Sequence, residues 1–100
     1  MYLQPELSDM PRELLQEASE RLRAAAEAAG GDGDLQRRIY DQSDAIATLA
    51  AREEAPDHGR LARHMSVLAE LADKTDGDAH DAVVDARSKV STYREGVAGV

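Results

Sequence analysis

The chain contains no cysteine, phenylalanine or tryptophan, and has only three prolines, three tyrosines and two lysines, Lys74 and Lys89. Without cysteine there is no disulfide framework and no thiolate chemistry. No apolar run approaches the roughly 20 residues of a membrane span. Met1 to Glu6 lacks the basic region and apolar stretch of a secretory leader. These absences point to a soluble, cytoplasmic protein with no membrane partner. Strand signals are missing as well, because β-branched residues nowhere alternate with polar ones over a useful length. With so few aromatics, the core must come from ten Leu, six Val, two Ile and three Met, filled in by 18 Ala. Each buried Leu- or Val-sized side chain contributes roughly 1.5–3 kcal/mol, so 100 residues can hold one modest core.

What is abundant is negative charge. Twenty acids face twelve bases, for a net charge of −8. Such a surface repels phosphate and anionic lipid. The combination of many acids, little lysine, much alanine and small core residues points to a salt-rich cytoplasm, the alternative being an ordinary acidic bacterial protein. There the Debye length is about 3 Å at 1 M salt, and repulsion between surface carboxylates is largely screened.

Hydrophobic spacing predicts four helices, over 9–29, 34–52, 57–73 and 77–95, in a single all-α domain of residues 1–100. The first opens at Ser8-Asp9 with Pro11 in its first turn. It carries Leu15, Ala18, Leu22, Ala25 and Ala29 at 3-4 spacing with Leu14 alongside, and Gly30-Gly31 stops it. The second starts at Asp32 or Asp34 and aligns Leu35, Ile39, Ile46 and Leu49, with Gln42 in the seam or at its edge. Asp57 caps the third, which bears Leu61, Met65, Leu68 and Ala72, flanked by His64, Val67 and Leu71. Thr75 and Asp78 have the spacing of a capping box for the fourth. That helix presents Ala79, Val83, Ala86, Val90, Tyr93 and Val97, and the tail from Gly96 should fray. Short connections imply antiparallel neighbours, and hence an up-and-down four-helix bundle made of two helical hairpins. At 18 residues a helix is roughly 27 Å long, which gives a squat rod.

The two halves also align on each other at a spacing of 44 residues. Asp32-Gly33-Asp34 falls on Asp76-Gly77-Asp78, and Ile39, Asp41, Ile46, Thr48 and Leu49 fall on Val83, Asp85, Val90, Thr92 and Tyr93. Helices of the same period and capping chemistry align easily, so this is read either as duplication or as coincidence.

Candidate sites are few. The Asp-Gly-Asp turns lack the glutamate that a calcium loop places six residues after its glycine, and capping suffices to explain their acids. His58 and His64 lie six apart, off the i, i+4 spacing of helical zinc ligands, and His80 begins another helix. A metal or ligand carrier built on these three would need them brought together by the fold. Arg37, Arg38, Arg60 and Arg63 could serve a nucleic-acid-associated regulator, provided they form one face; otherwise they pair with neighbouring acids. No serine follows a Gly-x-Ser-x-Gly turn, and there is no glycine-rich phosphate loop. The reading is therefore non-enzymatic, without cofactor or catalytic residue.

The run Pro56-Asp57-His58-Gly59-Arg60-Leu61-Ala62-Arg63, the following Leu68-x-x-Leu71 and the closing Tyr93-Arg94-Glu95-Gly96-Val97 resemble a group of short acidic haloarchaeal proteins of unknown function. The resemblance implies a cytoplasmic helical protein of a halophile and brings no activity with it. With no site chemistry in the sequence, the expected function is protein–protein interaction, with an unknown protein or with a second copy. The third helix carries apolar residues at both seam and flank, more than one seam requires, so its Arg60, Arg63, His64, Val67 and Leu71 form the expected contact face.

Overall fold

A computed structural model describes residues 5–31, 33–52 and 58–98, with side chains described over 12–31, 33–52 and 59–96. Among the described residues there are four helices: α1 (Pro5–Ala28), α2 (Gly33–Ala51), α3 (His58–Asp73) and α4 (Gly77–Ala98). There is no strand among the described residues. α1 packs on both α2 and α4, α3 packs on α4, and α2 and α3 scarcely meet. The expected up-and-down bundle is present, with one of its four sides open. Cross-helix bonds run head to tail throughout: Arg21 meets Asp85 and Glu17 meets Lys89, while Gln42 meets His64 and Arg38 meets Glu70. Every neighbouring pair is therefore antiparallel.

The molecule is longer than a squat rod, at 51 × 25 × 19 Å. The difference comes from the outer helices, since α1 has 24 residues and α4 has 22, about 36 and 33 Å at 1.5 Å per residue. α1 starts at Pro5 rather than at Ser8-Asp9. Proline suits a first helical position, where its missing N–H would have no partner. Pro11 consequently falls inside the helix. α4 continues through Gly96 to Ala98. Caps expected from Asp32 and Asp57 lie outside the described residues, as does the side chain of Val97.

The apolar stripes go where their spacing sends them. Leu15, Ala18, Leu22 and Ala25 of α1 are buried with Ile39, Ile46 and Leu49 of α2. Leu61, Leu68 and Ala72 of α3 join Val83, Ala86, Val90 and Tyr93 of α4 in the same core, and Ala79 is buried beside them. Leu14, Ala29, Leu35 and Met65 pack half-buried against it. Gln42 sits at the edge of the core, half-buried.

The core is not purely hydrocarbon. Ser19 and Ser43 are buried where α1 crosses α2. Ser19 Oγ donates to the Ser43 carbonyl at 2.9 Å, and Ser43 Oγ donates to the Ser19 carbonyl at 3.0 Å. Each hydroxyl thus reaches the backbone of the facing helix, which requires close approach. A helical carbonyl has a second lone pair for such a bond, so neither hydroxyl is left unsatisfied.

The two hairpins repeat one another in their bonds. In the first, Gln36 Nε2 donates to the Ala26 carbonyl at 2.9 Å; in the second, His80 Nδ1 donates to the Ala72 carbonyl at 2.8 Å. Deeper in, Ser43 donates to the Ser19 carbonyl and Arg87 Nε to the Met65 carbonyl. In both cases the donors are 44 residues apart and the acceptors 46. The 44-residue offset therefore holds from α2 to α4, whereas α3 follows α1 by 46, because the chain between the bonded positions is two residues shorter in the second hairpin. The same offsets match Ala18 and Ala86, both fully buried, to His64 and Gln42, both half-buried. Helix separation follows the side chains at the contact. Alanine holds α1 close to α4, and the larger polar pair holds α2 off α3.

The short turn differs in its capping from the expected box. Thr75 Oγ1 donates back to the Leu71 and Ala72 carbonyls at 3.0 and 3.1 Å, closing α3 rather than opening α4. The His80 N–H bonds to the Asp76 carbonyl, which opens the hydrogen-bond ladder of α4. Gly77 takes φ of 60°, while Gly33, its counterpart in the first hairpin, does not have a positive φ and has nothing near its Cβ position.

Two pairs of substitutions test this account by urea unfolding. Gly77→Ala should cost about 1–2 kcal/mol, the penalty of a side chain in left-handed backbone. Gly33→Ala should stabilise by about 0.4–1 kcal/mol through the unfolded chain. Ser19→Ala leaves Ser43 its acceptor and should cost only about 0.5–1.5 kcal/mol. Ser43→Leu must push α1 from α2 and should cost about 3 kcal/mol, the upper end for overpacking.

Candidate functional site: the open seam between α2 and α3

The expected contact face runs along the edge of α3 that borders α2. Arg60, His64, Val67 and Leu71 succeed one another at 4-3-4 spacing, with Arg63 beside them. The structure divides this group. Arg60 and Arg63 are exposed, His64 is half-buried, and Val67 is half-buried against the core. Leu71 is fully buried and belongs to the core, not to a contact surface.

The apolar surplus expected on α3 is accounted for inside the molecule. Leu61, Leu68 and Leu71 are all fully buried, and Met65 and Val67 pack partly buried around them. With α2 standing off, α3 must cover the core on that flank as well as its seam with α4, which takes a broad stripe. Among the described residues the exposed large hydrophobic is Val84, on α4.

Polar groups bridge the seam at two levels. At the first, His64 Nδ1 lies 2.8 Å from Gln42 Oε1. A carboxamide oxygen only accepts, so Nδ1 carries the hydrogen and donates. At the second, Arg38 Nη2 approaches Glu70 Oε2 at 3.4 Å, and Lys74 Nζ approaches the same oxygen at 3.9 Å. These partners are about half exposed, so the ion pairs contribute little, about 0–1 kcal/mol each. Next to them an open depression of about 380 Å³ is lined by Asp34, Leu35, Arg38 and Lys74. Its two cations are already engaged with Glu70, and it offers no nucleophile beside a base.

The other candidate groups are dispersed. Arg38 turns toward α3, and Arg37, the next residue, points about 100° further round α2, so the arginines do not share one face. His64 is bonded to Gln42, and His80, about two turns from it along the bundle, is bonded to the Ala72 carbonyl. The His58 side chain lies outside the described residues. Among the described residues no three His, Cys, Asp or Glu side chains gather as metal ligands would. No helix among them is long and apolar enough to cross a membrane.

Sequence reading found Gln42 and His64 separately but not their pairing. The signal was available, since the two fall opposite each other once α2 and α3 are laid antiparallel.

The fold thus defines a small all-α protein, a four-helix bundle with one unzipped side. Residues 10–96 match a family of unknown function, DUF7553, and the chain belongs to that family. Comparison with curated proteins and with solved structures gives no match.

The environment of His64 makes one outcome measurable. Desolvation by burial, and then the positive charges of Arg60 and Arg63, lower its pKa from the ordinary 6.5. A histidine with a depressed folded pKa stabilises the fold above its unfolded value and loses that contribution as pH falls through the folded value. Stability should therefore decline as pH drops below 6.5. Comparison of urea midpoints at pH 7.5 and 5.5 should show a smaller decline in His64→Gln, which cannot titrate.

Proposed function

We propose that the protein is a non-enzymatic protein–protein interaction module of a salt-adapted cytoplasm, and that its contact surface is the α2–α3 seam. One observation carries the reading: α2 and α3 scarcely meet although each is packed tightly on its other neighbour. A bundle that needed only to be stable would close that side as it closes the α1–α4 side, with alanine. Here the edge of α3 presents Arg60, Arg63, His64 and Val67 along the opening. A partner helix laid there would find a half-buried apolar residue at its centre and cations toward one end, the helix-in-groove mode of recognition.

The composition supports the setting. Twenty acids against twelve bases, with two lysines among them, suit a medium in which surface repulsion is screened within about 3 Å.

A photo-crosslinking amino acid at Arg63, compared with one at the exposed Glu27 of α1, tests the surface. In cells lysed at high salt, the Arg63 probe should give a discrete adduct with another protein, and the Glu27 probe should not. Equal labelling at the two positions, or adducts at neither, overturns the proposal.

A further inference from the structure

A second surface lies on a different side of the molecule. Between α3 and α4 runs an open groove of about 540 Å³, lined by Ala69 and Ala72 on one flank and by Val84, Ser88 and Ser91 on the other. Val84 is 44% exposed, alone in that respect among the large hydrophobics of the described residues. Two charges mark the α4 flank. Arg87 Nε donates to the Met65 carbonyl at 3.1 Å, which fixes the guanidinium at the groove while leaving both of its terminal nitrogens for another acceptor. Glu95 lines the same groove. Neither makes an ion pair among the described residues.

The spacing of these charges is self-complementary. Arg87 and Glu95 are eight residues apart on α4, about 12 Å along one stripe, with Ser91 midway. Rotating α4 by half a turn about an axis through Ser91 exchanges the two positions. We infer that the groove seats a second copy of this chain, with the two α4 helices antiparallel about a twofold axis at Ser91. Arg87 of each protomer then faces Glu95 of the partner subunit, twice over, in an isologous contact. Ser88 and Ser91 are small enough to let the helices approach, and Val84 is covered toward either end. The contact uses one helix and one groove per chain, at the small end of specific interfaces.

Sedimentation at a fixed salt concentration, with helicity checked by circular dichroism, reads the association directly. Wild type should show a concentration-dependent monomer–dimer equilibrium. Arg87→Glu alone and Glu95→Arg alone should each weaken it about tenfold or more, by placing like charges opposite each other. The double variant R87E/E95R restores opposite charges and should return to within about threefold of wild type. Because the chain has no cysteine, Ser91→Cys gives an independent reading. On oxidation it should form a disulfide-linked dimer much faster than Glu20→Cys, which sits on exposed α1. A strictly monomeric wild type at ~1 mM, failure of the double variant to recover, or equal oxidation of the two cysteines overturns the inference. None of these outcomes bears on the α2–α3 seam, which Arg63 labelling tests separately.

Discussion

The fold depends on how closely helices can approach when their facing residues are small. Where α1 meets α2, Ser19 and Ser43 reach each other's backbone at 2.9 and 3.0 Å, possible only when the helix axes are drawn together. Where α1 meets α4, Ala18 and Ala86 are fully buried, and side chains that short let helices come close. Short side chains bury less surface each, so the gain comes from dense contact: each atom pair contributes about 0.1–0.2 kcal/mol, but many pairs form at once. The serine pair adds a register lock, since a one-residue slip would carry both hydroxyls away from their carbonyls and leave them buried without partners.

The departure from a regular bundle follows from the same rule. The hairpins are near-copies in their cross-helix bonds, so the α1–α4 and α2–α3 seams are quasi-equivalent. They differ in what stands at equivalent positions: Ala18 and Ala86 in one, His64 and Gln42 in the other. A histidine and a glutamine facing each other satisfy their own polar atoms by bonding across 2.8 Å, and in doing so act as a spacer. Their bond also explains why His64 stays half-buried at modest cost, because a buried polar group is expensive chiefly when unpartnered. Closure of one side by alanine and separation of the other by a polar pair makes the molecule asymmetric despite its internal repeat.

Much of this was legible in the sequence. The 3-4 spacing of Leu15, Ala18, Leu22 and Ala25 and of its three counterparts located every helix and most of the core. What escaped was information carried by geometry between elements. Ser19 and Ser43 sit at interior positions of acidic helices, and a serine there reads as solvent-facing until the partner helix is placed. Thr75 has the spacing of an N-cap, yet its hydroxyl finds the orphan carbonyls of α3 first, because those lie within one turn behind it. Leu71 was placed on a contact face because a flank residue and a core residue share the same spacing; the separation of α2 from α3 decides between them. The 44-residue repeat hid a second offset of 46, since one turn is shorter and only the bonded pairs reveal it.

In the salt-rich setting proposed above, charge and salt tie these surfaces together. At molar salt, attraction between exposed charges survives only near contact, because screening acts beyond about 3 Å. Arg21 with Asp85 at 3.0 Å and Lys89 with Glu17 at 3.5 Å are already at that range, while the excess acids elsewhere hardly sense one another. Under such conditions a charged surface loses long-range steering and retains only register: a cation recognises an acid when the fold delivers the two to contact distance. Arg87 is held in place by the Met65 carbonyl and Arg38 reaches Glu70 across the seam, so each of these cations has a fixed place in the fold. A chain with few lysines and ten arginines fits this requirement, because the planar guanidinium can bond a carbonyl with one nitrogen and still present two others in a fixed direction.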